Sequence, residues 1–154
     1  MFTEWQFAFR VRNEGGEFHA YCDALPEAIA SGPTETRAAL EMAEAIDAAV
    51  RGRIKDGMDL APAPVQGIEP GEMGAMLSAR LAAKASIYAT WKRSGLTKVA
   101  LAEKMGRSEV EVRRILDPDH GTKLDQLEEA AAAMGGALQV RFSVGGAPFD
   151  FVPA

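Results

Sequence analysis

Between residues 96 and 123 the charged side chains fall at a spacing suited to nucleic acid. Arg107, Arg113 and Arg114 carry planar guanidinium groups, which grip a phosphate or the O6/N7 edge of guanine through two parallel bonds. Glu109 and Glu111 suit the amino group of cytosine as acceptors. Lys98 and Lys123, with Arg107 and Arg113, sit where phosphate contacts fix a domain's register on a duplex. Arg114 is the best placed for a bidentate guanine contact. Thr97, Ser108 and Val110 complete the outward set.

These side chains need rigid elements to aim them. Thr97 caps a first short helix, whose apolar positions are Ala100, Leu101 and Met105, and Gly106 ends it in a left-handed turn. Ser108 caps a second, whose apolar face is Val112, Ile115 and Leu116. Helices this short are not stable alone. Packed on each other and on a third, they leave one cationic face outside, the layout of a DNA-binding helix-turn-helix. The plainer alternative pairs Arg113 and Arg114 with Glu109, Glu111 or Asp117 on a solvated surface.

Charge is divided along the chain in the same sense. The net charge of the 154 residues is −5. Residues 1–70 hold 12 Asp/Glu against 6 Lys/Arg, a net of −6, and residues 71–154 hold 10 against 11, a net of +1. Residues 80–114 alone carry 9 basic side chains against 3 acidic ones, a net of +6. An acidic front and a basic helical segment imply two partners of opposite sign, or else ordinary solvated charge. A single cysteine, Cys22, excludes an intramolecular disulfide framework and fits a reducing cytoplasm. His19, His120 and Cys22 are too few and too scattered for a structural zinc site. No apolar run approaches the ~20 residues of a membrane span. Met1-Phe2-Thr3-Glu4-Trp5 lacks the basic flank and apolar core of a secretory signal.

The rest of the chain reads as an α+β protein. Trp5, Phe7, Phe9 and Val11 alternate with Gln6, Ala8 and Arg10 as a half-buried strand, and Asn13-Glu14-Gly15-Gly16 turns it into a second over 17–22. Residues 28–31 suit a short third strand, broken by Gly32-Pro33. Thr34 opens a long helix to about Lys55, with Leu40, Ala43, Ile46, Val50 and Ile54 as its apolar stripe. Prolines 62, 64 and 70 forbid regular structure in the stretch that follows. Residues 72–78 are open to either a helix start or a fourth strand. A helix from Ser78 to about Arg93 buries Leu81, Ala85, Tyr88 and Trp91, and another over 123–134 turns Leu124, Leu127, Ala131 and Met134 inward. Leu138, Val140 and Phe142 alternate as a last strand over 137–143, which must pair with something. Pairing with its symmetry mate would make these three residues the dimer contact.

These pieces, in this order, resemble the HicB antitoxins of bacterial HicA–HicB toxin–antitoxin modules. The front carries Tyr21-Cys22-Asp23-Ala24-Leu25-Pro26, then Ala30-Ser31-Gly32-Pro33-Thr34 and the Pro62/Pro64 pair. The rear carries Ala83-Lys84-Ala85-Ser86-Ile87-Tyr88, Ala102-Glu103-Lys104-Met105-Gly106, Val112-Arg113-Arg114-Ile115-Leu116-Asp117 and Lys123-Leu124-Asp125-Gln126-Leu127. The chain departs at Glu27-Ala28, where the family commonly has a glycine. The resemblance implies a degenerate ribonuclease-H-like β-β-β-α-β front domain over 1–78, which favours the strand at 72–78. It implies a helix-turn-helix and dimerisation domain with a terminal strand over 79–145, and leaves 146–154 as a tail. It implies that Asp23, Leu25, Pro26 and Glu27 bind a small basic HicA-like toxin that cleaves RNA with a histidine. It implies that the rear domain, as a homodimer or higher even oligomer, binds operator double-stranded DNA and represses the operon.

No cofactor, metal or membrane partner is expected. A ribonuclease-H-like metal site needs carboxylates on its central strands, and the strands at 5–11 and 17–22 carry only Glu17, so no hydrolase activity is expected. Two other readings compete: a stand-alone transcriptional regulator with a sensor or protein-interaction domain in front, and an RNA-processing domain tethered to nucleic acid.

Overall fold

A computed structural model describes residues 4–62, 68–142, 144 and 149–151. They group into two units: one drawn from 1–50, 62–78 and 143–154, the other from 51–61 and 79–142. Secondary structure is mixed α and β.

The first unit is built on an antiparallel sheet. Strands β1 (Gln6–Glu14), β2 (Glu17–Tyr21) and β3 (Ile29–Gly32) come first, then helix α1 (Glu35–Lys55), which runs on into the second unit, then β4 (Met73–Met76). A three-residue β5 (Phe149–Phe151) completes the order β3-β2-β1-β4-β5. Gly15 and Gly16 both have positive φ, 67° and 93°, between the paired Glu14 and Glu17. Two such residues give a turn whose twist matches that of the strands it joins. Trp5, Phe7 and Phe9 are buried as the alternation requires. The ambiguous stretch after the prolines is a strand, with Gln6 opposite Met76 and Phe9 opposite Met73.

Helix α1 starts as its sequence dictates: the Arg37 amide donates to Thr34 Oγ1 at 3.1 Å. Its buried face is Ala38, Ala39, Met42, Ile46, Val50 and Ile54, whereas Leu40, expected inside, is 37% exposed. The cause is a close approach at Gly32. A Cβ there would lie 2.9 Å from the Ala38 amide nitrogen, so the first turn packs on the end of β3 and turns its small alanines inward.

The second unit holds α2 (Ala79–Ser94), α3 (Lys98–Met105), α4 (Glu109–Leu116) and α5 (Leu124–Ala133). Its core joins Ile87, Leu101, Ala102, Val112, Ile115, Leu116, Leu127 and Ala130. At ~1.5–3 kcal/mol for each large side chain removed from water, this cluster holds helices that propensity alone would not. Leu124, expected inside, is 49% exposed at the start of α5.

Two expectations at the rear are corrected. Residues 137–142 form no strand: the unit around them is helical and offers no ladder to join. Leu138 packs against the helical core instead, while Val140 and Phe142 stand 82% and 87% exposed. The stretch expected as a tail contributes β5, with Met73 opposite Phe151 and Ala75 opposite Phe149. Pro64 lies outside the described residues.

Candidate functional site

The turn between α3 and α4 is specified at both ends. Thr97 Oγ1 accepts from the Ala100 amide at 3.0 Å. Gly106 sits at φ 64°, ψ 35°, its amide donating to Glu103 O and that of Arg107 to Ala102 O. This paired closure uses carbonyls that a helix end leaves open, and it needs a residue at ease with positive φ. Ser108 then opens α4 with a reciprocal cap: its hydroxyl accepts from the Glu111 amide at 3.3 Å, and its own amide donates to Glu111 Oε2 at 2.9 Å.

That cap removes Glu111 from the set of base readers. Its carboxylate is held by the Ser108 amide and hydroxyl and by Arg107 Nη1 at 3.1 Å, and these bonds pull its pKa below the ordinary value. Arg107 is likewise committed. It donates to both oxygens of Glu129, at 2.7 and 2.9 Å, as well as to Glu111. Glu129 and Glu111 raise its pKa further and offset its charge. Arg107 and Glu111 therefore lock the turn to α5.

What remains outward on α4 is a narrow face. Val110, Arg113 and Arg114 are exposed, three and four residues apart, opposite the buried Val112, Ile115 and Leu116. Arg113 pairs with Glu109 at 2.7 Å, as the plainer alternative foresaw for that pair. Arg114 makes no ion pair among the described residues. Lys98 lies over the Trp91 ring, 5.9 Å from its centroid. Thr97, Ser108 and Lys123 are exposed, and the Lys123 side chain makes no cap bond to α5.

The residue that sequence reasoning missed is Lys84. Counted among the basic surface charges, it is 1% exposed. Its Nζ donates to Arg114 O at 2.8 Å, Ile115 O at 2.9 Å and Thr122 Oγ1 at 2.6 Å. An ammonium has three protons, and here three oxygens take them. Two are carbonyls of the last turn of α4, where a cation is also favoured by the helix dipole. Burial pushes its pKa down to about 8, Asp117 opposing and Arg80 adding. The signal was present: Lys84 falls three residues after Leu81 and three before Ile87, on a buried stripe. Thr122 passes the contact on, donating to Arg114 O at 3.2 Å and meeting His120 Nδ1 at 3.1 Å.

In the first unit, Asp23, Pro26 and Glu27 are exposed on the loop before β3. Leu25, grouped with them from the sequence, is 0% exposed. It is the apolar anchor of the loop and offers a partner nothing. Cys22 is buried beside it, and burial raises its thiol pKa, as for a small hydrophobe rather than a nucleophile. Among the described residues no three His, Cys, Asp or Glu side chains converge as metal ligands, and no helix is long and apolar enough to cross a membrane.

No family model matches the chain. Curated relatives do. Antitoxin HicB 1 of Photorhabdus laumondii is 35% identical over 127 residues, covering 81% of this chain and 77% of that protein. Antitoxin HicB of Pseudomonas fluorescens is 28% identical over 131 residues, 85% of this chain and 89% of its own. Antitoxin HicB of Escherichia coli K12 is 27% identical over 127 residues, 82% and 90%.

Proposed function

The chain belongs to the HicB antitoxin family, and on that premise we propose that it neutralises a HicA-like, RNA-cleaving toxin by direct contact and represses its own operon by binding operator DNA. The first unit masks the toxin, with Asp23, Pro26 and Glu27 on the contact loop. The element order β-β-β-α-β supports a degenerate ribonuclease-H-like ancestry for it. No reaction and no cofactor enter: masking requires only a surface.

Helices α3 and α4 act as the helix-turn-helix. The observation that carries this is α4 itself, capped at both ends, with Arg114 exposed and uncommitted while its own carbonyl is held by buried Lys84. Arg114 reads guanine, Val110 meets a thymine methyl, and Glu109 accepts from cytosine when Arg113 turns to a phosphate. Lys98 and Lys123 hold phosphates through side chains, and Thr97 and Ser108 lie at the helix starts that face the backbone. Operators read this way present two half-sites about one helical turn apart, so the working species is a dimer or higher even oligomer. Exposed Val140 and Phe142 supply the self-contact, with Leu138 anchoring their segment. The single buried cysteine suits the cytoplasm.

The test is co-expression with the neighbouring reading frame, which on this reading encodes a short basic protein. Growth rescue and co-purification are expected, and the absence of both overturns the antitoxin reading. In sedimentation, Val140→Asp with Phe142→Asp should yield monomers. An unchanged dimer rejects that self-contact.

A further inference from the structure

The sheet order ends on β3 at one side, so among the described residues its outer backbone edge carries no ladder. Natural edges are blunted by charge, proline or a bulge. Here the strand reads Ile29-Ala30-Ser31-Gly32, with none of these within it and Ile29 61% exposed. The strand is short, and Pro33 follows its end.

A groove of about 610 Å³ runs beside it. All four β3 residues line this groove, including those of both sheet faces, which places it along the open edge rather than over one face. The other wall is α1, which contributes Arg37, Glu41, Glu44, Ala45 and Ala48. Arg37 is held by Glu41 at 2.7 Å, while Glu44 is exposed and makes no ion pair among the described residues.

We propose that β3 takes a partner strand by edge addition, the strand lying between β3 and α1 and belonging to a basic protein. Edge addition draws affinity from main-chain hydrogen bonds and specificity from alternate side chains, and here alternate side chains of the incoming strand face Glu41 and Glu44. Residues 4–50 and 68–78 carry 3 Arg and no Lys against 11 Asp/Glu, a net of −8. A second copy would bring the same acidic wall against itself, which such charge disfavours. The inference rests on the reading that this unit holds a protein partner, and it adds β3 and α1 to the contact made by the loop at 23–27.

The experiment is hydrogen exchange on the full chain, free and with the HicA-like protein of the same operon, made with its histidine replaced. Amides of residues 29–32 and of the 37–48 stretch of α1 should gain protection in the complex. Ile29→Arg and Glu44→Arg should each weaken binding about tenfold or more without moving the melting temperature. The two sites lie on different elements, so a folding defect in one leaves the other informative. A complex in which 29–32 exchange as in the free chain overturns the inference and spares the antitoxin reading. Absence of any complex overturns both. Protection at 29–32 in the chain alone, rising with concentration, hands the edge to a second copy and overturns the assignment.

Discussion

Arg114 and Lys84 divide one task at the level of single residues. Arg114 faces outward uncommitted, and Lys84 holds the same residue's carbonyl from inside. Arg114→Ala should lower operator affinity by ~1–3 kcal/mol and relax one base position while leaving toxin neutralisation intact; titration against operator variants reads both. Lys84→Met removes a donor shared by the Arg114 and Ile115 carbonyls and the Thr122 hydroxyl, and should cost about 1–3 kcal/mol of stability. The pH dependence has a definite sign. The folded pKa, about 8, lies below the ordinary 10.5, so between those values the unfolded chain binds more protons. Titration of Lys84 therefore adds stability as pH rises through that window and contributes no slope well below it. Melts of both proteins from pH 7 to 10.5 isolate this as the difference between them. Residue type and spacing were enough to place Arg114 outward. They were not enough for Glu111 and Arg107, because a carboxylate three residues after a serine serves a cap as readily as a base. Nor were they enough for Leu25, whose loop setting hid its role as an anchor.

At the level of elements, helix starts and stops were legible because their chemistry is local. Thr97, Gly106 and Ser108 each act on a backbone group within five residues. Ser108→Ala should cost about 1 kcal/mol, read as a lower melting temperature, with operator affinity falling as the α3–α4 turn loosens. Acid should weaken the same turn. The Glu111 pKa is held below the ordinary carboxylate value, so the stabilisation is present above that value and lost as pH falls through the lowered one. Elements whose form depends on distant partners were less legible. The stripe of α1 held at Ile46, Val50 and Ile54 and failed at Leu40, where a close contact at Gly32, rather than the helix's own periodicity, decides which side of the first turns faces in. Residues 137–142 alternate as a strand does, yet alternation specifies a face, and a ladder needs a neighbour. Phe149–Phe151 has that neighbour in β4, at a separation in sequence that no local pattern reports.

For the whole molecule, charge division survives with its accounting revised. The surplus over 80–114 includes Lys84, which is buried, and Arg107, which faces two carboxylates, so the outward cation count is smaller than the sequence total. The deficit in the first unit is borne by groups that include the groove wall at Glu41 and Glu44. The order of connection has a further consequence. Residues 51–61 belong with the α2–α5 unit and 143–154 with the sheet unit, so the polypeptide passes from one to the other four times. A cut between Ser78 and Ala79 therefore gives two fragments, neither of which owns a complete unit. Residues 51–61 of the first fragment carry Met58, whose carbonyl accepts from Tyr88 of the second at 2.6 Å, and Lys55, which pairs with Asp119. The second fragment keeps β5, which the sheet of the first requires to finish its order. A protease site placed at that joint should yield pieces that separate in denaturant yet co-elute in native buffer, and the halves expressed apart should reconstitute by fragment complementation. Independent elution of the two would mean that the four crossings carry no shared stability.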